Sequence, residues 1–427
     1  MKRVSTIFVL VLAALALAVL GVQLLHDAGA DQRTQPVADA ATQIARGAYL
    51  ARAGNCMACH TSRGGQAYAG GREIATTFGS IYTSNLTQDA ATGIGSWSAD
   101  DFWRAIHNGK SKNGSFLYPA FPYPSYTKVT RADADALYAF FKTIPAVRQE
   151  RRENSLRFPY NQRWLLAYWR SLYFTPGEFA ADASRSPAWN RGAYLVQGLG
   201  HCAACHTSRD ALGGPIDKAD LAGAMLPVMN WYASPLAPGH GSGLDVWPAD
   251  ELATLLKTGV SARGAVFGPM AEVTSESLQH LDDADIAAMA GYLKSLPKRE
   301  TPPAQTAVRA EADAASTLKL GAALYEQHCA SCHQADGKGV PHAYPALAGN
   351  RALVAGSAIN PVRMVLNGGY APSTGGNPRP YGMPPFSFSL SDGEVAAVVS
   401  YVRASWGNQG ELVSPVEVRR LRGVPGE

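Results

Sequence analysis

The sequence lacks the motifs that would mark it as a catalytic or nucleic-acid-binding chain. It contains 38 lysines and arginines against 34 aspartates and glutamates, so its net charge of +4 does not support nucleic-acid binding. It has no flavin or dinucleotide fingerprint and no signature of a quinone cofactor. Cysteine is also scarce, because only six occur and none lies outside three short motifs. We therefore expect substrate chemistry to belong to another chain.

All the cysteines belong to three Cys-x-x-Cys-His motifs. In this motif two thiols attach haem covalently, and the adjacent histidine is the proximal iron ligand. A zinc site would pair two short Cys or His motifs, and a thioredoxin-like pair would need a βαβ setting, which these segments do not show. The sequence thus predicts three covalently attached haem c groups. The attaching cysteines are Cys56, Cys59, Cys202, Cys205, Cys329 and Cys332, and the iron-binding histidines are His60, His206 and His333.

A longer repeat surrounds the haem motifs. A helical pattern with a glycine precedes each motif, and a second helical pattern with an aromatic residue follows it. The glycine lets the aromatic side chain approach the first helix closely. These pairs are Gly47 with Phe140, Gly192 with Tyr292, and Gly321 with Tyr401. The repeat predicts an all-α fold of three tandem class I cytochrome c domains, each with its terminal helices packed across the haem edge.

The length of 427 residues suits three such domains of about 100 residues each. Composition then indicates where one segment ends and the next begins. The expected segments are a membrane anchor or signal sequence (1–30), domain 1 (38–150), an aromatic-rich linker (151–185), domain 2 (186–300), an exposed linker (301–315), domain 3 (316–408) and a solvated tail (409–427).

A long apolar run opens the chain. Lys2 and Arg3 precede about 22 largely apolar residues, 4–25, which suffice for a transmembrane helix. The alternative is a signal peptide cleaved near Ala28–Ala30. The length of the run favours a retained N-terminal transmembrane helix. Either interpretation exports the rest of the chain, which predicts a location at the periplasmic face of the bacterial inner membrane, where haem c is attached.

Methionines in two Pro-containing loops are candidate sixth ligands. Met270 and Met383 each follow a haem motif and precede the last helix of the domain. A thioether ligand opposite histidine raises the haem potential. Met225 and Met229 compete for the second haem but lie early in the domain, and Met289 on the last helix suits core packing.

The first domain departs from this pattern. Phe121 stands where the methionine is expected, and no methionine occurs between Met57 and Met225. His107 is the only spare histidine of this domain, on a helix where it could also be a surface residue. The first haem is therefore ligated by His107, ligated from elsewhere, water-bound or five-coordinate.

Further distinctive segments lie outside the haem motifs. They are Phe78–Thr87 (FGSIYTSNLT), Gly93–Trp97 (GIGSW), Leu117–Tyr126 (LYPAFPYPSY), Trp189–Leu195 (WNRGAYL) and Gly200–Cys202 (GHC). With these segments, the chain from about Gly47 to Arg422 resembles the membrane-bound trihaem cytochrome c subunits of bacterial periplasmic dehydrogenases.

That resemblance implies an electron-transfer subunit rather than an enzyme in its own right. Such subunits pass electrons from a catalytic dehydrogenase subunit to ubiquinone or the respiratory chain. Segments 119–123 and 158–164 are most similar to the branch paired with molybdenum hydroxylases, which implies a molybdopterin aldehyde or N-heterocycle dehydrogenase with a small [2Fe-2S] subunit. One alternative is the cytochrome subunit of a PQQ alcohol dehydrogenase or an FAD sugar or gluconate dehydrogenase. Two others are a haem peroxidase that uses an open first haem, and a cytochrome subunit of a terminal oxidase or a freestanding electron shuttle.

Overall fold

The computed structural model describes most of the chain and divides it into two units. The described residues are 10, 14, 16–23, 39–226, 228–239, 244, 247–298, 311–341, 343–354 and 357–423. The first unit comprises residues 1–182, 196–201 and 210–215, and the second comprises 183–195, 202–209 and 216–427.

Helices dominate the first 182 residues, with a small sheet after the first haem motif. The elements are α1 (Ala40–Ala53), α2 (Cys56–His60), β1 (Glu73–Thr76), β2 (Gly79–Tyr82), α3 (Ala99–Asn108), α4 (Tyr123–Tyr126), α5 (Arg131–Phe141), β3 (Ser155–Leu156), a 3-10 helix (Arg163–Leu165) and α6 (Leu166–Tyr173). The sheet is antiparallel in the order β1-β2-β3, with Glu73 opposite Tyr82 and Gly79 opposite Leu156.

The rest of the chain repeats this helical arrangement around the second and third motifs. Its first elements are α7 (Pro187–Gln197), α8 (Ala203–His206), a 3-10 helix (Asp217–Ala219), β4 (Ala224–Leu226), β5 (Trp231–Ala233), α9 (Ala249–Thr258), β6 (Val260–Ser261), β7 (Gly264–Ala265), α10 (Pro269–Glu276), a 3-10 helix (Leu278–His280) and α11 (Asp283–Ser295). Then follow α12 (Glu311–His328), α13 (Ala330–His333), α14 (Arg351–Val354), α15 (Ile359–Asn367), β8 (Gly369–Tyr370), β9 (Gly382–Met383), α16 (Asp392–Ala404) and α17 (Pro415–Arg422).

The expected all-α fold with an N-terminal transmembrane helix is wrong on both counts. Nine short strands occur among the described residues, each two to four residues long. Strands this short leave no visible alternation in the sequence, and glycines such as Gly79, with φ 123°, turn the chain between them. Across the described residues, no helix has both the length and the apolar character needed to cross a membrane. Residues 16–23 of the apolar run are helical, and most of its other residues lie outside the described part.

The predicted close crossing of the first and last helices is confirmed in every repeat. The crossing pairs are α1 with α5, α7 with α11, and α12 with α16. A Cβ atom added to the crossing glycine would lie far inside the van der Waals distance of a backbone oxygen. These distances are 1.9 Å from Gly47 to Ala136, 2.0 Å from Gly192 to Ala288, and 2.2 Å from Gly321 to Ala397. No side chain fits at these positions.

An ion pair reinforces the crossing in two repeats. Arg46 lies 2.5 Å from Asp133, whose side chain is only 2% exposed. Arg191 binds both carboxylate oxygens of Asp285, at 2.8 and 2.6 Å. Both arginines directly precede the crossing glycine, and both aspartates lie in the first turn of the last helix. The third repeat has Leu320 at the arginine position, and its last helix is stabilised by the C-terminal tail instead.

The C-terminal tail packs against the third repeat. The sequence had predicted a solvated tail. Ser414 and Glu417 form a capping box that begins α17. Val418 is fully buried in the core of the third repeat. Arg422 donates a 2.6 Å hydrogen bond to Asp392, at the start of α16. The helix therefore completes the third domain.

The aromatic-rich linker is packed, as its apolar composition indicates, and the end of the expected exposed linker is helical. Within 151–185, α6 packs in the first unit, with Ala167 fully buried and Arg170 only 2% exposed. Arg170 donates a 2.5 Å hydrogen bond to the carbonyl of Asn108. Of the expected linker 301–315, residues 301–310 lie outside the described part, and residues 311–315 begin α12.

Gly192→Ala should destabilise the protein by about 1–3 kcal/mol, because the new methyl group forces α7 away from α11. Denaturant unfolding of the haem-loaded protein measures this loss. Gly291→Ala is the matched control, because Gly291 lies exposed on α11 with nothing within 4 Å of an added Cβ atom. The control should stabilise by about 0.4–1 kcal/mol, and equal losses in both variants would contradict the crossing.

Asp392→Asn should lower the melting temperature of the third domain at pH 7. Hydrogen bonds from Arg422 and then Arg419 hold the pKa of Asp392 below its ordinary value. This stabilisation is present above the unfolded-state pKa of about 3.9 and disappears as the pH falls through the lower folded-state value. The variant and the wild type should therefore converge in acid. Arg420→Ala removes an exposed arginine from α17, the helix that carries Arg419 and Arg422, and should leave the pH dependence of the melting temperature unchanged.

Candidate functional site

The three haem-motif histidines are oriented in the same way. Each motif forms about one helical turn, in α2, α8 and α13, and the ring Nδ1 of its histidine meets a backbone carbonyl. The distances are 2.7 Å from His60 to Ser84, 2.6 Å from His206 to Ser234, and 3.0 Å from His333 to Pro345. This hydrogen bond orients the ring and leaves Nε2 for a metal, as iron ligation requires.

The carbonyls that hold the histidines were missed in the sequence. They follow their motifs at unequal distances but share a local pattern, in which leucine comes two residues later. The segments are Ser84-Asn85-Leu86-Thr87, Ser234-Pro235-Leu236-Ala237 and Pro345-Ala346-Leu347-Ala348. The repeated leucine was the available signal, and the variable spacing concealed it.

Burial gives these groups the protonation states that suit covalent haem. It lowers the pKa of His60, although the hydrogen bond from the ring to Ser84 acts in the opposite sense. A neutral imidazole is the form that binds a metal. Burial also raises the pKa of Cys56 and of Cys202 to about 12, and that of Cys329 to about 11. The apolar surroundings of the sulfurs therefore suit uncharged thioethers, and the donor set fits haem c.

A zinc centre finds no support in the side chains. Among the described residues, no group of three or more histidines, cysteines, aspartates or glutamates could hold a metal ion.

Aromatic rings occupy the loop that carries Phe121. The Phe121 ring lies 5.2 Å from that of Tyr126, whose hydroxyl donates a 3.0 Å hydrogen bond to the carbonyl of Gly54, just before the first motif. The centroid of the Tyr126 ring also lies 5.5 Å from that of His201, in an edge-to-face arrangement. Burial holds the pKa of Tyr126 well above its ordinary value, so its hydroxyl remains a neutral hydrogen-bond donor.

The candidate ligand His107 is buried rather than on the surface. Its ring stacks on Trp103, with centroids 4.3 Å apart, and its Nδ1 lies 3.5 Å from Thr127 Oγ1. Only 7% of the residue is exposed. Iron ligation by His107 remains one of the alternatives for the first haem.

The two candidate methionine ligands lie in different local structures. Met270 lies in the first turn of α10, after Gly268 and Pro269. Met383 lies on β9, opposite Gly369. The competitors Met225 and Met229 are 42% and 38% exposed, and Met289 is buried at 2% in the domain core, as expected for a packing residue. Met270 and Met383 remain the predicted sixth ligands.

Met383→Leu should lower the potential of one haem by about 0.1 V or more, since axial ligands set haem potentials over a range of about 0.8 V. A spectroscopic redox titration measures the shift. Met289→Leu makes the same change in the core and should leave every potential unchanged. Unchanged potentials in folded Met383→Leu would remove this residue from the iron site.

Known proteins resemble this chain over most of its length. The cytochrome c family profile matches residues 44–145, 190–297 and 318–406. The gluconate 2-dehydrogenase cytochrome c subunit of Pantoea cypripedii is 41% identical over 400 residues, 89% of this chain and 89% of that protein. The cytochrome c subunit of the quinone alcohol dehydrogenase of Gluconacetobacter polyoxogenes is 39% identical over 414 residues, 92% of this chain and 87% of that protein.

A further relative differs in length. A nicotinate dehydrogenase subunit of Pseudomonas putida is 42% identical over 371 residues, which are 85% of this chain but only 30% of that protein. The names of the three relatives specify different dehydrogenases. With the histidine geometry, the matches establish that this chain belongs to the cytochrome c family, among the cytochrome c subunits of dehydrogenases, and binds haem c covalently for electron transfer.

Proposed function

We propose that the protein is a trihaem electron-transfer subunit of a bacterial dehydrogenase complex. The observation that carries the proposal is the threefold recurrence of one geometry, in which a motif histidine donates Nδ1–H to a backbone carbonyl and directs Nε2 away. Haem iron, when bound, supplies reversible one-electron chemistry. The protein holds the ring of each ligand in one orientation, so little rearrangement accompanies a change of charge.

Contacts within the second unit support a path between the second and third sites. The hairpin of β6 and β7 lines a cavity together with Tyr344, Pro345 and Tyr381. The carbonyl of Pro345 accepts from His333, and Tyr381 lies two residues before Met383. The second domain thus contributes residues to a cavity beside the segment whose carbonyl orients the third histidine.

The partner we propose is a catalytic dehydrogenase subunit that oxidises its substrate and delivers electrons singly. We favour a molybdopterin dehydrogenase for aldehydes or N-heterocycles, with a [2Fe-2S] subunit. The support is the Phe121 loop, the 158–164 segment and 42% identity to a nicotinate dehydrogenase subunit. The alternative partners are a PQQ alcohol dehydrogenase and an FAD sugar or gluconate dehydrogenase, which correspond to the other two relatives.

We place the complex at the periplasmic face of the inner membrane, with ubiquinone or another respiratory-chain component as acceptor. Attachment of haem c on the periplasmic side supports this location. The surface of α6 and the segment before it supports a further docking contact, because Phe158 is 80% exposed, Leu172 67% and Trp164 53%.

Purification of the tagged protein from its own cells should recover a dehydrogenase subunit, and metal analysis should find molybdenum in it. Recovery of a PQQ or flavin subunit would keep the electron-transfer role and replace the molybdenum partner.

In the complex, Met383→Leu should slow quinone reduction several-fold and leave substrate oxidation with an artificial acceptor intact. Equal loss of both activities, or recovery of the chain without a partner, would contradict the proposal.

A further inference from the structure

A helix of the third domain lies directly on a strand of the second. Asn360, in the first turn of α15, makes two hydrogen bonds to the backbone of Tyr232 on β5. Its Oδ1 accepts from the Tyr232 amide at 2.8 Å, and its Nδ2 donates to the Tyr232 carbonyl at 2.7 Å. The side-chain amide replaces a strand partner, so the position of α15 on β5 is well defined.

Arg363 lies on the same face of α15, one turn after Asn360. It is only 1% exposed, which is rare for arginine. The centre of its guanidinium group lies 4.8 Å from the centroid of the Trp231 ring. A positive charge from the third domain is thereby buried against a residue of the second.

Trp231 lies near the segments that carry both predicted axial ligands of the second haem. Three residues along the strand, the carbonyl of Ser234 accepts from the proximal His206 at 2.6 Å. On the other side, a Cβ atom added to Gly268 would lie 2.6 Å from the Trp231 ring, and Gly268 lies two residues before Met270. A residue between the proximal and the distal segments would lie at an edge of the bound haem.

The polar atoms at this edge fit a carboxylate. The Nε1 of Trp231 is buried, and the described residues offer it no hydrogen-bond partner. Indole nitrogen can only donate, and buried donors are nearly always paired. The Nδ2 of Asn367, on the same face of α15 one turn after Arg363, is likewise buried without a partner among the described residues. Haem c is joined to Cys202 and Cys205 through its vinyl side, and its opposite edge carries two propionate carboxylates.

We infer that Arg363 of the third domain and Trp231 of the second together bind a propionate of the second haem. Trp231 donates its indole N–H to the carboxylate, and Arg363 supplies the countercharge from across the domain boundary. This inference rests on haem attachment at the second motif. The first domain lacks the indole, because Ile81 holds the position of Trp231, three residues before the carbonyl that binds the proximal histidine.

The charge has a predictable effect on the potential. Reduction lowers the charge of the iron by one, so a nearby positive group favours the reduced state. A unit charge about 10 Å away at an effective dielectric constant of about 20 changes such an equilibrium about tenfold. For a one-electron couple, tenfold corresponds to about 59 mV. The potential of the second haem therefore depends on the docking of the third domain.

The test is a redox titration of the full-length protein in which NMR contacts from the haem methyl groups to each domain assign the three haems. Arg363→Met should lower the potential of the second haem, with an about tenfold decrease in the equilibrium constant for its reduction. Arg363→Lys should retain most of the wild-type value. Trp231→Phe should decrease the same equilibrium constant about threefold. The two effects should not add in the double variant, since both act on one carboxylate.

Arg263→Met is the matched control, because it removes an exposed arginine from the β6–β7 turn of the same unit. It should change no potential by more than twofold. If Arg363→Met does not fold, Trp231→Phe and Arg363→Lys decide the question. Unchanged potentials in these folded variants, or a shift confined to the third haem, would overturn the inference. Haem counting by mass spectrometry separates this outcome from failure of the proposed function, which would leave the second motif without haem.

Discussion

The contact between the first and last helix of each domain positions everything else in the molecule. At Gly47, Gly192 and Gly321 the two helices meet backbone to backbone, with no space for even a methyl group. The haem motif begins within about ten residues of this contact, so the crossing fixes where the thiols and the proximal histidine start. Ion pairs from Arg46 and Arg191 then hold two of the crossings in register.

The repeated parts of the fold could be predicted from the sequence, because each repeat supplied an independent copy of the pattern. The crossing helices and their glycines were found in this way. The short strands were not, because two to four residues are too few to establish an alternating pattern. The predicted transmembrane helix rested on hydrophobicity alone, without a repeat to test it.

The parts of the haem sites were predictable from the sequence to different degrees. The proximal side is local in sequence, so the motif predicts which histidine lies beside which thiols. The carbonyls that orient the histidines come from loops of different lengths, and only folding brings them together. Interdomain contacts such as Arg363 on Trp231 are more distant still, since 132 positions separate residues that carry no shared motif. No periodic signal could have paired them.

The packing of α17 has a consequence for how the domains can be separated. Val413 and Val418 are completely buried in the third domain, and Arg422 reaches back to the start of the helix that crosses α12. A chain cut after residue 408 would therefore expose apolar core surface, although all three haem motifs and both candidate methionines would still be present. During synthesis, the third domain can bury its core only when these last residues have emerged. An interrupted chain would therefore be open to proteolysis, because proteases cleave chains whose core is exposed even when all the haem-binding residues are present.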